Sequence, residues 1–225
     1  MEAVSGRPEI ARVWTTTGTR ARYDRISRSY ELIEGVWERP VRRIGLDALS
    51  AAPGESLIEV GCGPGYALVD IARAVGQDGR AVGVDLADGM CRVARRRVIR
   101  RRLAQRAWLV QGDASRLPLA SGSFDGAFMS FVLELFDTPQ IPLVLAECQR
   151  VVRPGGRLVV ASLSKEGPEP PMRRLYEHGH ARFPRLLDCR PIYVARAVRE
   201  AGMEITSVRT VSLWGLPVEV VRART

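Results

Sequence analysis

The sequence predicts an α/β fold: a doubly wound sheet of seven strands, mostly parallel with an antiparallel edge strand, and a helical lid at the N-terminus. Three observations predict it. Short apolar runs alternate with segments of helical spacing from Leu57 to Ser162, the pattern of successive βαβ units. The first run, Leu57-Ile-Glu-Val60, enters Gly61-Cys-Gly-Pro-Gly65, where glycines let the chain turn sharply and bring its backbone close to a ligand. Two further runs, Glu204 to Trp214 and Val218 to Arg222, are expected as an antiparallel hairpin at one edge, the usual departure of this architecture from an all-parallel sheet.

Residues 1–18 are polar, carry Ser5-Gly6 and Pro8, and read as loosely ordered or as a lid. Helical spacing runs from Arg20 to Leu49, broken into two helices by Gly35 and Pro40. Pro53-Gly54 turns into the first strand. Tyr66 to Val75 is helical and Gly76 stops it. Arg80 to Asp85 is the second strand, and Asp88 is expected to cap a helix from Gly89 to Gln105. Ala107–Val110 is the third strand and Ser123–Ser130 the fourth. A helix from Thr138 to Val152 follows, with Glu147 and Arg150 expected on its outer face, and Arg153-Pro-Gly-Gly156 is expected to end it. Arg157–Ser162 is the fifth strand. A proline-rich insertion precedes a helix from Pro191 to Ala201, stopped by Gly202. The chain reads as a single domain, 1–225, with the lid in 1–50 and a substrate cap in 164–190.

Composition bounds the function. At 225 residues, 46% hydrophobic and 26% charged, the chain is long enough for one well-packed α/β core. No window is long and apolar enough for a transmembrane helix, and the N-terminus lacks the apolar core of a secretion signal, so a cytoplasmic protein is expected. The four cysteines are scattered and only His178 and His180 supply imidazole, so no metal site is expected. The net charge of +9 favours anionic partners, including an anionic membrane surface met peripherally at the inner face. The helix from Gly89 to Gln105, dense in arginine, is either a membrane-surface or nucleic-acid patch or an ordinary solvated face.

The glycine turn separates two ligand chemistries. The dinucleotide fingerprint places its third glycine at the sixth position, and here that position is Tyr66. The first strand carries Glu59 and the second ends on Asp85, roughly twenty residues beyond the turn, where a doubly wound fold places the acid for a ribose diol. Acceptors at strand ends suit a ligand that presents hydrogen-bond donors better than they suit a phosphate.

With Glu59-x-Gly-x-Gly-x-Gly65, Gly112-Asp-Ala114, Phe124-Asp125 and Glu147-x-x-Arg-Val-x-Arg-Pro-Gly-Gly156 in order, the chain resembles the class I S-adenosylmethionine-dependent methyltransferases. Its layout resembles the ubiquinone/menaquinone-biosynthesis C-methyltransferase group (methyltransferase type 11) in particular. The resemblance implies a Rossmann-like fold with S-adenosylmethionine as cofactor. It implies cofactor contacts from Tyr23, Glu59, Gly61, Cys62, Gly63, Gly65, Asp85, Leu86, Gly112, Asp113, Ala114 and Ser130. Asp113 would accept from the adenine amine, and Ala114 would donate to a ring nitrogen. Tyr30, Phe131 and Arg190 are expected on the substrate. Tyr23 and Tyr30 have a second reading as a helix face packed on the core.

Methyl transfer is an in-line displacement that rests mainly on proximity and orientation. A base is needed only for a protonated acceptor. His178 and His180 are the first candidates and Tyr176 follows; residues two apart do not share a helix face, so at most one histidine points at the substrate. The expected acceptor is a small molecule or a lipid-like quinol. A phospholipid N-methyltransferase and a soluble small-molecule O- or N-methyltransferase of secondary metabolism are the alternatives. A nucleic-acid methyltransferase is disfavoured because Ser130-Phe-Val-Leu stands where an N-P-P-Y-like motif would be expected, and a non-catalytic cofactor-binding partner remains a separate class.

Overall fold

A computed structural model describes residues 38–167, 171–182 and 189–225. Helix α1 (Arg39–Leu49) has Pro40 in its first turn, where a missing N–H costs nothing, and ends on Ser50 in the left-handed region. Then follow β1 (Ser56–Val60), α2 (Tyr66–Ala74), β2 (Arg80–Asp85), α3 (Asp88–Arg100), β3 (Ala107–Gln111) and β4 (Phe124–Ser130). Two short 3-10 turns, Leu133–Leu135 and Thr138–Gln140, lead to α4 (Ile141–Val151) and β5 (Val152–Leu163). The described chain closes with α5 (Pro171–Arg182), α6 (Val194–Glu200), β6 (Glu204–Leu213) and β7 (Leu216–Arg224).

The seven strands form one sheet in the order β3-β2-β1-β4-β5-β7-β6. β1 to β5 are parallel to one another, and β7 is antiparallel to both β5 and β6. The hairpin stands at one edge, as expected, with its antiparallel member inside the outermost strand. Successive residues of β1 feed opposite faces. Leu57 packs under α1 and α2, while Ile58 and Val60 pack in the core shared with α4 and α6. Burial on both faces is why the strand reads as a nearly continuous apolar run. Because β1 to β4 are parallel, Val60, Asp85, Gln111 and Ser130 end on the same edge.

Several boundaries differ from expectation, each for a tertiary reason. Asp88 is not the cap of α3: Ala87 holds the cap position with no side-chain bond, and Asp88 is helical and pairs with Arg92. The helix stops at Arg100 rather than near Gln105, because Arg102 turns left-handed and the Leu103 N–H bonds back to the Val98 carbonyl. β5 begins at Val152, pairs there with Phe124, and resumes pairing at Arg157 across from Gly126. Arg153 to Gly156 is therefore an irregularity within the strand rather than a separate turn. α6 starts at Val194 because residues just before it are tied to the end of β5: Ile192 N–H donates to the Leu163 carbonyl, and Lys165 N–H to that of Ile192. Glu147 and Arg150 are not an outer solvated face. Glu147 accepts from Arg150 and from Leu117 N–H, and Arg150 donates to the carbonyls of Leu117 and Leu119, so α4 clamps the loop after β3.

Candidate active site at the carboxyl edge of the sheet

The glycine turn is tied down on almost every donor. Gly61 N–H and Cys62 N–H both donate to the Val84 carbonyl, at 2.7 and 2.9 Å. Gly63 N–H donates to Asp85 Oδ2 at 2.8 Å, and Gly65 N–H to the Cys62 carbonyl at 2.8 Å. Gly65 has a φ of +77°, and a Cβ there would stand 2.8 Å from that of Ala94. A Cβ on Gly61 would collide with Val132. Only glycine fits either position. A turn whose N–H groups face protein acceptors is not an anion nest, so its geometry argues against a cradled phosphate.

The acids stand around this turn. Glu59, in β1, is 5% exposed. Asp85 ends β2 and also accepts from Ala87 N–H through Oδ1, at 2.9 Å. A carboxylate has about four acceptor sites, so two backbone donors leave it capacity for a diol. Asp113 uses Oδ1 for the N–H and hydroxyl of Ser115, at 2.9 and 2.7 Å. A Cβ on Gly112 would stand 2.7 Å from Pro118, and Ala114 is buried. Leu86 is half-buried beyond Asp85, and its carbonyl accepts from the Gln111 amide. At the end of β4, Ser130 Oγ is buried with no hydrogen-bond partner among the described residues. Phe131 is buried and turns left-handed, at φ +54°.

The expected substrate groups are more scattered. Tyr23 and Tyr30 lie outside the described residues, as does the side chain of His180. His178 is exposed on α5. Tyr176 donates its hydroxyl to the Cys189 carbonyl at 3.0 Å. Arg190 is buried and donates to the Phe136 carbonyl at 2.8 Å and to Thr138 Oγ1 at 3.0 Å.

Sequence reasoning passed over several buried charges at this edge. Arg97 is the buried member of the arginine-rich α3, whose Arg92, Arg95, Arg96 and Arg100 are exposed. It donates to the Pro64 carbonyl and lies over the Tyr66 ring, 3.5 Å from its centroid. Arg42, also buried, approaches the same ring at 5.0 Å. Glu134, 1% exposed, accepts from Ser162 Oγ at 2.7 Å and from Leu163 N–H. Burial pushes the Glu219 carboxyl above its usual range, outweighing the hydrogen bond from Ser164. One signal was available for all four: each interrupts an apolar stripe or run, as Arg97 does between Val93-Ala94 and Val98, and Glu219 between Val218 and Val220.

Residues 57–156 match the family described as methyltransferase domain. The chain is 40% identical over 159 residues to the demethylmenaquinone methyltransferase of Beutenbergia cavernae, covering 68% of this chain and 61% of that one. It is 35% identical over 149 residues to nocamycin O-methyltransferase of Saccharothrix syringae, covering 66% and 50%. The solved structure of the [4+2]-cyclase SpnF superposes with a TM-score of 0.76 at 19% identity, over 96% of this chain and 98% of that one. Residues 57–156 thus match a methyltransferase domain, and the fold is that of the S-adenosylmethionine-dependent class. Within that class the chain resembles the menaquinone-biosynthesis group. It spans between 40% and 62% of the length of the curated relatives it matches. Among the described residues, no helix is long and apolar enough to cross a membrane.

Proposed function

We propose that the protein transfers a methyl group from S-adenosylmethionine to a small, lipid-like acceptor such as a quinol. The observation that carries this reading is the combination of an acceptor-rich strand edge with a glycine turn whose N–H groups are already bonded. Glu59, Asp85 and Asp113 offer carboxylates where β1, β2 and β3 end, and Gly61, Cys62, Gly63 and Gly65 donate to protein oxygens. That set fits a cationic ligand with hydroxyls and an amine, and fits a pyrophosphate badly.

When bound, the cofactor supplies a methyl group on a positively charged sulfur. Glu59 takes the ammonium, Asp85 the ribose hydroxyls, and Asp113 with Ala114 the adenine edge, beside Leu86 and Gly112. Ser130 and Phe131 lie beneath the reacting centre. Holding the two partners in line contributes up to about 7–11 kcal/mol of the barrier. On the acceptor side, we assign the substrate to the cap in 164–190 and the lid within 1–50, of which residues 1–37, 168–170 and 183–188 lie outside the described structure. Arg190 orients it. His178 is the described side chain best placed by chemistry to take a proton, since Tyr176 already spends its hydroxyl on Cys189.

The quinol acceptor rests on the demethylmenaquinone methyltransferase relatives. A second reading, O-methylation of a soluble metabolite, rests on the nocamycin O-methyltransferase relative. The likeness to a [4+2]-cyclase is a reminder that one fold hosts several chemistries. A partition assay separates them: the protein is given methyl-labelled cofactor with a crude lysate. Label in the organic extract supports the quinol reading, label in aqueous small molecules supports the second, and no label in any fraction removes both.

A further inference from the structure

We infer that Arg42 is the counter-ion for the carboxylate of the cofactor's amino-acid tail, an assignment that rests on the cofactor reading above and deepens it.

Arg42, Gly45 and Leu49 recur at three and four along α1 and share its inward face, where all three are buried. Gly45 sets the depth of that face: a Cβ there would stand 2.7 Å from Cε2 of Phe128, so the helix lies against β4. The polarity of α1 follows from its far end, where the Leu49 carbonyl accepts from Arg157 at the start of the parallel part of β5. Leu49 is therefore at the amino edge of the sheet. Arg42, about two turns earlier, is toward the carboxyl edge, beside the glycine turn. Its guanidinium lies 5.0 Å from the ring of Tyr66, the first residue of α2.

Arg42 is only 8% exposed, and its Nη1 is buried with no hydrogen-bond partner among the described residues. No described acid forms an ion pair with it. A buried cation without an anion is costly, and such a group is retained where a ligand completes it. Two further features give the corner the same sign. Arg97 stacks on the same Tyr66 ring, and the N-terminus of α2 has no side-chain cap. The backbone donors from Gly61 to Gly65 are spent, which leaves the N-terminus of α2 and the Arg42 side chain to meet an incoming anion. An amino-acid tail is a zwitterion. Glu59 in β1 answers its ammonium, and Arg42 answers its carboxylate with the planar donor pair that suits one.

The test compares two ligands on the purified full chain by calorimetry: S-adenosylhomocysteine, which has the tail, and 5′-methylthioadenosine, which lacks it. Arg42→Gln should weaken S-adenosylhomocysteine by about ten- to a hundredfold, the range for a hydrogen bond to a charged group. It should leave 5′-methylthioadenosine unchanged, and Arg42→Lys should recover part of the loss. Thermal melting of the free variants checks that they fold. Unchanged affinity for S-adenosylhomocysteine in Arg42→Gln, or equal weakening of both ligands, overturns the assignment while the cofactor reading stands. Failure of the unaltered protein to bind either ligand overturns both.

Discussion

Asp85 holds Gly63: the carboxylate that ends β2 accepts the N–H at the centre of the glycine turn, at 2.8 Å, while its other oxygen accepts from Ala87. One side chain thus fixes the turn after β1 and the entry to α3. Asp85→Asn keeps the shape but presents an amide N–H to one of two backbone donors. We expect a loss of about 1–3 kcal/mol of stability together with a loss of cofactor affinity, read by denaturant melts and by calorimetry. A variant that binds poorly yet melts like the unaltered protein would show that Asp85 serves the ligand alone.

Glu147 is held the other way from Glu219. The Arg150 guanidinium, with Leu117 N–H, keeps its carboxyl below the usual range. Such a group stabilises the fold above the ordinary carboxylate value and loses that contribution as pH falls through its lowered value. Glu147→Gln should therefore destabilise at neutral pH by about 1–3 kcal/mol, and the difference should shrink in acid. Urea titrations at several pH values give the slope.

Glu219 has the opposite sign. Its folded value lies above the unfolded one, so stability falls as pH rises from the ordinary carboxylate range through the raised value. Glu219→Gln should be more stable than the unaltered protein at neutral pH and indistinguishable from it below the ordinary range. A variant less stable at neutral pH would mean that the ionised carboxylate is needed by the fold.

The thiols should be slow. Burial pushes both Cys91 and Cys148 up to about 12, and Cys62 is buried as well, leaving Cys189 half-buried. The thiolate is the reactive species. A chromogenic disulfide at mildly alkaline pH should label at most Cys189 in the native protein, and all four cysteines after unfolding. Rapid labelling of Cys91 in the folded state would contradict its packing.

The strands, their order in the chain and the glycine turn were legible because each is written in local periodicity, and Asp85 because its offset from the turn follows from the length of a βαβ unit. What escaped was set by contacts distant in sequence. Nothing near Pro191 announces that Ile192 will bond to Leu163, and nothing near Arg153 announces a register shift opposite Phe124. Arg97 reads as surface with the other arginines of its helix, and Arg42 drew no reading at all; only their places on apolar stripes betray them. Glu147 and Arg150 were read as a family signature, whereas their bonds show a clamp on the loop that follows Asp113.

β6 precedes β7 in the chain, yet β7 stands between β5 and β6. Synthesis therefore produces the outermost strand before the one that joins it to the rest. Until residues 216–224 leave the ribosome, β5 has an unfilled edge and β6 has no partner in the sheet, and both are templates for pairing with other chains. Closure of the seven-stranded sheet therefore waits on a single nine-residue segment that satisfies two neighbours at once.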